Sequence, residues 1–433
     1  MEMVVNEIRE MFPALSRKVY GKDLVYFDNA ATSQRTQSVI DEWNRISAES
    51  NANIHRAVHR LADEATQAYE ASRDAVKDFL NASGREEIVF TSGTTAAINL
   101  VAFCFGEAFI TEGDEVIVTE AEHHSNIVPW QMMCQRRGAV LKVLPVDDSG
   151  HLMVEKLDGL ITERTKIMAV THISNVLGII NPVKEIIEKC HAKGVAVLVD
   201  GAQGAVHCRV DVQELDCDFY VFSGHKLYAA TGTGVLYGKK KWLEAMPPYM
   251  GGGEMVGTVT FEETTYAPLP MKFEAGTQNL SSTPTLKPAL ETSCNAYFCW
   301  GFKAMIDRKS KYGSHANAFE TWKNHLVSMG FGYKLGVDLT GENRGFLPNA
   351  KWYNDVYGEN HWSANTIISV SIGQGEILAT PIQIANLCAT IANRGWFITP
   401  HVVKEIEDSV LPSNLYTKRI PTIDAKYYSA IAE

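Results

Sequence analysis

The 433-residue sequence contains no Cys-x2-Cys pair; its eight cysteines stand apart at positions 104, 134, 190, 208, 217, 294, 299 and 388. That scatter excludes a disulfide scaffold or a zinc framework and predicts reduced, mostly buried thiols. No apolar run approaches the ~20 residues of a membrane span. The first residues, MEMVVNEIREMFPAL, carry acids inside an amphipathic pattern and lack the shape of a signal peptide, so a cytoplasmic protein is expected. Positive charge is also scarce. Forty Lys and Arg against 51 Asp and Glu give a formal net charge of −11, which argues against a broad nucleic-acid surface. What the chain does have is 45% hydrophobic and 21% charged residues, the balance of a packed globular protein of two or three domains.

The most informative stretch runs from Val195 to Tyr237. A short apolar run, Val195 to Val199, ends in Asp200, with Gln203 three residues on. A second run, Asp218 to Phe222, ends in Ser223-Gly224-His225-Lys226 before a Gly/Thr turn at Thr231 to Gly234. Both read as parallel strands with polar groups at their carboxyl ends, where α/β sheets place their ligands. A lysine beside an acid on the neighbouring strand suits pyridoxal phosphate (PLP). The lysine carries the aldehyde, and the carboxylate keeps the ring nitrogen protonated. A buried Lys–Asp ion pair in an ordinary α/β core explains the same residues, and the stretch alone leaves both readings open.

Upstream, Asn6 to Met11 reads as the opening of a helix and Leu24 to Phe27 as a strand. Apolar and small residues recur at helical spacing from about Ala62 to Leu80. Strand Glu87 to Phe90 runs through Thr91-Ser92-Gly93-Thr94-Thr95 into a helix, the pattern of a phosphate cradle at a helix N-terminus; an N-cap by Thr94 or Thr95 is the simpler alternative. Strand Glu115 to Thr119 delivers Glu122-His123-His124, and strand Lys166 to Val170 delivers Asn175. No metal site is expected, because adjacent histidines point apart and no third ligand lies at suitable spacing. Ile186 to Lys193 reads as a helix stopped by Gly194. The alternation predicts a doubly wound, mostly parallel sheet flanked by helices.

The strings LVYFDNAAT, NANIHRAVH, FTSGTTAAINLVA, EHHSNIVPW, HISNVLG, VDGAQGAVH, SGHKLYAATGTGVLYGK and KFEAGTQN occur in that order. This half of the chain, about 1–280, resembles the SufS-type cysteine desulfurases of the class V aminotransferase family, with the type I PLP fold. The resemblance implies the conversion of L-cysteine to L-alanine, with sulfur passed to an acceptor protein for iron–sulfur cluster supply, in a homodimer. It implies that Lys226 carries PLP, Asp200 pairs with the ring nitrogen, His123 stacks on the ring and Gln203 holds the ring hydroxyl. Thr94, Thr95, Ser223 and His225 would bind the phosphate, with Thr277 supplied by a partner subunit. Asn175 and His55 would face the substrate. Two departures stand out: Gly276-Thr277-Gln278-Asn279 has glutamine where the family has proline, and Ala229-Ala230 replaces a more usual Gly-Pro.

Beyond Asn279 the resemblance changes. LKPALETSCNAYF, MGFGYKLGVDLTGENRGFLP, TIISVSIGQGEILATPIQIANLCATIANRG and PHVVK, from about 286 to 404, resemble the transpeptidase domain of class B penicillin-binding proteins. Ser293-x-Asn295 would be that family's second motif. Its Ser-x-x-Lys nucleophile and Lys-Thr-Gly strand have no counterpart, since Ser223-Gly-His-Lys226 is already explained by PLP. A partial, mainly α transpeptidase domain is therefore expected over 281–433. The desulfurase resemblance in turn lacks its nucleophilic Cys loop and substrate-clamping arginine. Cys294, Cys299 and Cys388 read as helical packing residues. Impaired turnover is expected, with a transpeptidase-type module, a non-catalytic fusion product and another PLP lyase or aminotransferase as alternatives.

Overall fold

The structure, a computed structural model, describes residues 9–55, 58–291, 302, 305–338, 340–359, 361–364, 366–367, 377–403, 412–425 and 427–428. The chain divides into two compact units. One comprises Phe27–Ser293 with Met11–Ala14; the other comprises Cys294–Glu433 with Met1–Glu10 and Leu15–Tyr26. The division thus falls later than the change of resemblance near residue 280, and it groups two N-terminal segments with the second half.

The first unit is built on a seven-stranded sheet. In chain order the strands are β1 (Ile88–Thr91), β2 (Glu115–Thr119), β3 (Val140–Leu144), β4 (Thr165–Thr171), β5 (Ala196–Asp200), β6 (Phe219–Ser223) and β7 (Gly234–Gly238). Their spatial order is β1-β7-β6-β5-β4-β2-β3. β7 runs antiparallel to β1 and β6, and the remaining pairs are parallel. Strict alternation along β5 shows why helices must cover both faces. Val197 and Val199 enter one hydrophobic core, and Ala196 and Leu198 enter the other.

Helices follow the apolar periodicity. α1 (Gln37–Glu49) precedes α2 (Arg60–Leu80), which begins two residues before its expected start. The buried face of α2 carries Ala62, Ala65, Tyr69, Ser72, Arg73, Val76 and Leu80, a three-and-four spacing in which Arg73 is the exception. α3 (Thr94–Phe109), α4 (Val128–Arg137) and α5 (Val183–His191) connect the strands, and α6 (Leu286–Glu291) closes the unit. α5 starts three residues before its expected start, directly after Pro182, and Gly194, at φ +72°, follows its end.

Leu24 to Phe27 is not a strand. The local ladder lies earlier, between Lys18–Val19 and Lys22–Asp23. Val25 and Phe27 are 48% and 59% exposed, so the apolar residues that suggested a strand have no sheet face to cover. Of the expected N-terminal helix, residues 9 and 10 are helical and the earlier ones lie outside the described residues.

Apart from the 18–23 ladder and isolated bridges, the described residues of the second unit are mainly helical, with α7 (His315–Ser328), α8 (Ala350–Tyr357) and α9 (Pro381–Ala392) its longer helices. Phe319, Tyr353 and Trp362 centre its core. α9 opens with a complete capping box between Thr380 and Gln383 and Pro381 in the first turn, and Gly395 at φ +95° follows its end. Cys388 lies on α9 and is half-buried rather than enclosed. Ser293, Asn295, Cys294 and Cys299 lie outside the described residues.

Two buried ionic clusters hold the first unit. Arg73, with no exposed surface, donates to Glu274 at 2.8 and 3.0 Å and to the Ile88 carbonyl at 2.7 Å. Glu274 also accepts from Tyr69 Oη (3.1 Å) and the Phe90 amide (2.7 Å), so α2, β1 and the 271–275 segment meet on one carboxylate. Removing Glu274 leaves the buried guanidinium with the partly exposed Glu70 carboxylate, 3.1 Å from its Nε, as its remaining counter-charge. Glu274→Ala is expected to cost about 3–5 kcal/mol in urea unfolding, and Arg73→Met with Glu274→Leu much less. Equal losses in the two variants would show that packing, not the lost counter-charge, governs the site.

Asp218, 1% exposed, forms the other cluster. It accepts from His191 Nε2 (2.8 Å), Trp242 Nε1 (2.7 Å) and the Val197 amide (2.8 Å). Burial works to raise its carboxyl, but His191, Trp242 and Lys239 hold it below the usual 3.8. Hydrogen bonding to Asp218 raises His191 above the usual 6.5, against the cost of burial. The acid's contribution is therefore present above 3.8 and lost as pH falls through its lower folded value. The histidine's contribution is full below 6.5 and lost as pH rises through its higher folded value. Melting curves across pH should show the largest Asp218→Asn deficit between 3.8 and 6.5, narrowing on both sides. A deficit independent of pH would remove the charge from the account.

Candidate active site

Strand register assembles the site. Thr171 of β4 pairs with Asp200 of β5, and Asp200 pairs with Val221 of β6. Ser223 of β6 pairs with Gly234 of β7, which pairs with Thr91 of β1. The carboxyl ends of β1, β4, β5 and β6 and the amino end of β7 thus open on one edge of the sheet, where a cavity of about 490 Å³ lies. Its lining includes Lys226, Asp200, Gln203, His123, Thr94, Thr95, Ser223, His225 and Asn175, residues drawn from five separate connections. His55 and Thr277 are not in the lining. His55 sits at φ +61° with Nε2 3.5 Å from Glu70, and Thr277 is exposed.

The anion cradle is built from backbone. Gly93, at φ +154°, caps α3 without any side-chain hydrogen bond, so the N-cap is not Thr94 or Thr95. A Cβ on Gly234 would lie 2.4 Å from Gly93 Cα, so β7 approaches this turn as only glycine allows. Ser223 Oγ accepts the Thr94 amide at 2.8 Å and meets Thr94 Oγ1 at 2.8 Å. The amides of Thr95 and Ala96 meet no protein acceptor among the described residues, as expected of a helix N-terminus open to an anion.

Charge at the floor of the cavity is finely opposed. Burial pushes the Asp200 carboxyl up, while the Ala202 amide (2.9 Å to Oδ1), Lys226 and His123 pull it down. Among the described residues no other side chain or amide donates to this carboxylate. Burial lowers Lys226, and Asp200 works the other way. A lysine held below its usual value spends more time as the neutral, nucleophilic amine. His225 is lowered by burial and then by Lys226 and Arg35.

Several supports carried no recognisable signal in the sequence. Gln203 Nε2 donates to the Ala30 carbonyl at 2.8 Å, a main-chain contact that any residue at 30 could provide. Ser33 Oγ donates to the His225 carbonyl (2.9 Å) and accepts the Tyr228 amide (2.8 Å), gripping the turn that bears Lys226 from 192 residues away. The two departures also have structural content. The Ala230 amide donates to Thr285 Oγ1 at 3.1 Å, a bond that proline could not make. Both amide atoms of Gln278 are enclosed without a partner among the described residues. No group of three His, Cys, Asp or Glu suited to a metal occurs among the described residues, and no described helix is long and apolar enough to cross a membrane.

Comparison with known proteins gives two family matches, which overlap over residues 257–314. The family description "Aminotransferase class-V" matches residues 25–314. The chain belongs to the class V aminotransferase family. It is 52% identical over 287 residues to a cysteine desulfurase of Synechococcus elongatus, covering 66% of this chain and 46% of that protein. It is 51% identical over 292 residues to a cysteine desulfurase of an Enterobacter species, covering 67% of this chain and 72% of that protein. The chain thus spans less than half the length of some curated relatives and about three quarters of others. The Escherichia coli cysteine desulfurase CsdA is similar in structure, with a TM-score of 0.64 and 33% identity over 90% of this chain and 97% of that one. The apo cysteine desulfurase of Thermococcus onnurineus gives a TM-score of 0.67 at 27% identity and the same coverage. Residues 257–431 match the penicillin-binding protein transpeptidase domain.

The family's cofactor is PLP, and the donor set fits it. The free Thr95 and Ala96 amides beside Thr94 and Ser223 suit a phosphate, the Lys226 amine suits an aldehyde, and the Asp200 carboxylate has capacity for a protonated ring nitrogen.

Proposed function

We propose that the first unit is a PLP-dependent enzyme of the SufS-type cysteine desulfurase group, acting on L-cysteine. The observation that carries this reading is the register that brings Asp200, Lys226 and the Thr94–Ser223 pair to one cavity. PLP, when bound, supplies an electron sink for the substrate's α-carbon. The residues do the rest. Asp200 would hold the proton on the ring nitrogen, and Lys226 Nζ would hold the aldehyde and serve as the base for the α-proton. His123 would cover the ring, and Gln203, anchored on the Ala30 carbonyl, would hold the ring hydroxyl. Thr94, Thr95, Ser223 and His225 would hold the phosphate, and Asn175 would hold the substrate carboxylate. His55, outside the lining of the cavity, would face the substrate from beyond it. Exposed Thr277, beside the enclosed and unpartnered Gln278 amide, is assigned to a second copy's phosphate site in a homodimer.

Sulfur transfer is the step we propose to be impaired. It needs a thiolate that reaches the substrate sulfur. Burial raises Cys104 and Cys190 to about 12 and Cys134 to about 11, and raises Cys217 further. Such thiols are packing residues, and no cysteine of this unit lines the cavity. We further propose that residues 281–433 are a partial transpeptidase domain joined to this enzyme, a reading supported by the match over 257–431.

The purified chain with PLP should absorb in the visible range and, after borohydride reduction, carry the adduct on Lys226. Lys226→Ala should lose it, and an adduct on another lysine would refute the site. With cysteine and a reductant, alanine and sulfide should stay sub-stoichiometric; equal multiple-turnover yields, abolished by Lys226→Ala, would show that sulfur transfer is intact. A fluorescent β-lactam should leave the chain unlabelled, and stoichiometric acylation of a serine would overturn the view of the second unit as partial.

A further inference from the structure

Glu122 sits beside His123 and does not line the cavity. Its carboxylate nevertheless gathers three donors from three places. Oε1 accepts from Thr119 Oγ1 at the end of β2 (2.6 Å) and from the Thr171 amide at the end of β4 (2.8 Å). Oε2 accepts from Asn126 Nδ2 (2.6 Å), whose Oδ1 accepts from the fully buried Trp130 Nε1 at 3.1 Å on α4. β2 and β4 are neighbouring parallel strands, and the loop bearing His123 leaves the sheet between their ends. One carboxylate therefore stitches the loop to both strands and to the helix that follows. Burial pushes this carboxyl up to about 8, and Asp200's charge adds to the effect, while Thr119, Asn126 and Thr171 oppose it.

His123 has no comparable anchor of its own. Among the described residues its ring hydrogen bonds are all with Ser125: Nδ1 meets the Ser125 amide at 3.1 Å and Ser125 Oγ at 2.8 Å, while its carbonyl accepts the Asn126 amide at 2.8 Å, also within the loop. These bonds fix the ring within the loop but not the loop within the protein.

We propose that Glu122 is the positioning residue that sets where the His123 imidazole stands in the cavity, through the Thr119–Thr171–Asn126 clamp. The proposal rests on the PLP reading of the site. Once ionised, above its raised value of about 8, the carboxylate accepts from all three partners, whereas an amide of the same shape turns an N–H toward the N–H of Asn126 at any pH.

The test is an absorbance titration of full-length protein with PLP, recording affinity and the absorbance maximum of the bound cofactor. Glu122→Gln should weaken PLP binding about tenfold and shift the maximum, a magnitude typical of one broken buried charged hydrogen bond. Glu122→Gln combined with Asn126→Asp exchanges donor and acceptor at unchanged total charge, and should recover both readouts. In a His123→Ala background, Glu122→Gln should add no further loss, because its effect runs through the ring. Multiplicative losses in that background, or no recovery in the exchanged pair, would overturn the proposal. A wild-type chain that takes no PLP on Lys226 overturns this proposal together with the cofactor reading. Wild-type PLP uptake with Glu122→Gln indistinguishable from it overturns only the positioning role.

Discussion

The fold of the first unit turns on a guanidinium that has no contact with water. Arg73 occupies a position on α2 where the apolar periodicity calls for a hydrophobic side chain, and its charge is tolerated because Glu274, 201 residues away, meets it twice and Glu70, on the same helix, meets its Nε at 3.1 Å. Phe90 packs its ring 4.4 Å from the same guanidinium, and Glu274 takes the Phe90 amide. β1 is thereby held to α2 and to the late 271–275 segment at once. Because β1 leads directly into Gly93 and the N-terminus of α3, this ion pair also sets where the anion cradle begins. An apolar replacement of both partners would conserve packing but not the directional bonds to Ile88 and Phe90.

The cavity illustrates how a parallel sheet concentrates chemistry. Strand interiors are saturated with backbone hydrogen bonds and apolar contacts on both faces, so polar side chains collect where the strands end. There, burial does two things to opposite effect: it raises the buried Asp200 carboxyl and lowers the partly buried Lys226 amine. Each charge makes the other less costly, and a ligand bearing its own positive ring nitrogen and negative phosphate fits between them. The same logic separates the cysteines. Burial raises Cys104, Cys134, Cys190 and Cys217 alike, and the Lys272 charge near Cys104 and the Lys239 charge near Cys217 oppose it only in part.

The second unit has its own aromatic core and a well-capped α9, so its helices have local reasons to form. Its described residues also carry isolated bridges, Phe346 with Leu378 and Phe397 with Arg419.

Much of this was legible before any coordinates. The β2, β4, β5 and β6 strands and the polar ends carrying His123, Asn175, Asp200 and Lys226 follow from short continuous apolar runs, as a sheet covered on both faces requires, and the long α2 helix follows from three-and-four spacing. Gly93 and Thr94 could be placed as a strand-to-helix turn for the same reason. The pattern failed at Leu24 to Phe27, where apolar residues lacked a neighbour to pair with. Sequence by itself therefore determined the elements and the chemical types at their ends. Tertiary structure alone decided which ends meet: the register of Asp200 with Thr171 and Val221, the grip of Ser33 on the Lys226 turn, and the three donors on Glu122. These depend on hydrogen bonds between residues tens to hundreds of positions apart, and no local periodicity records a partner that distant.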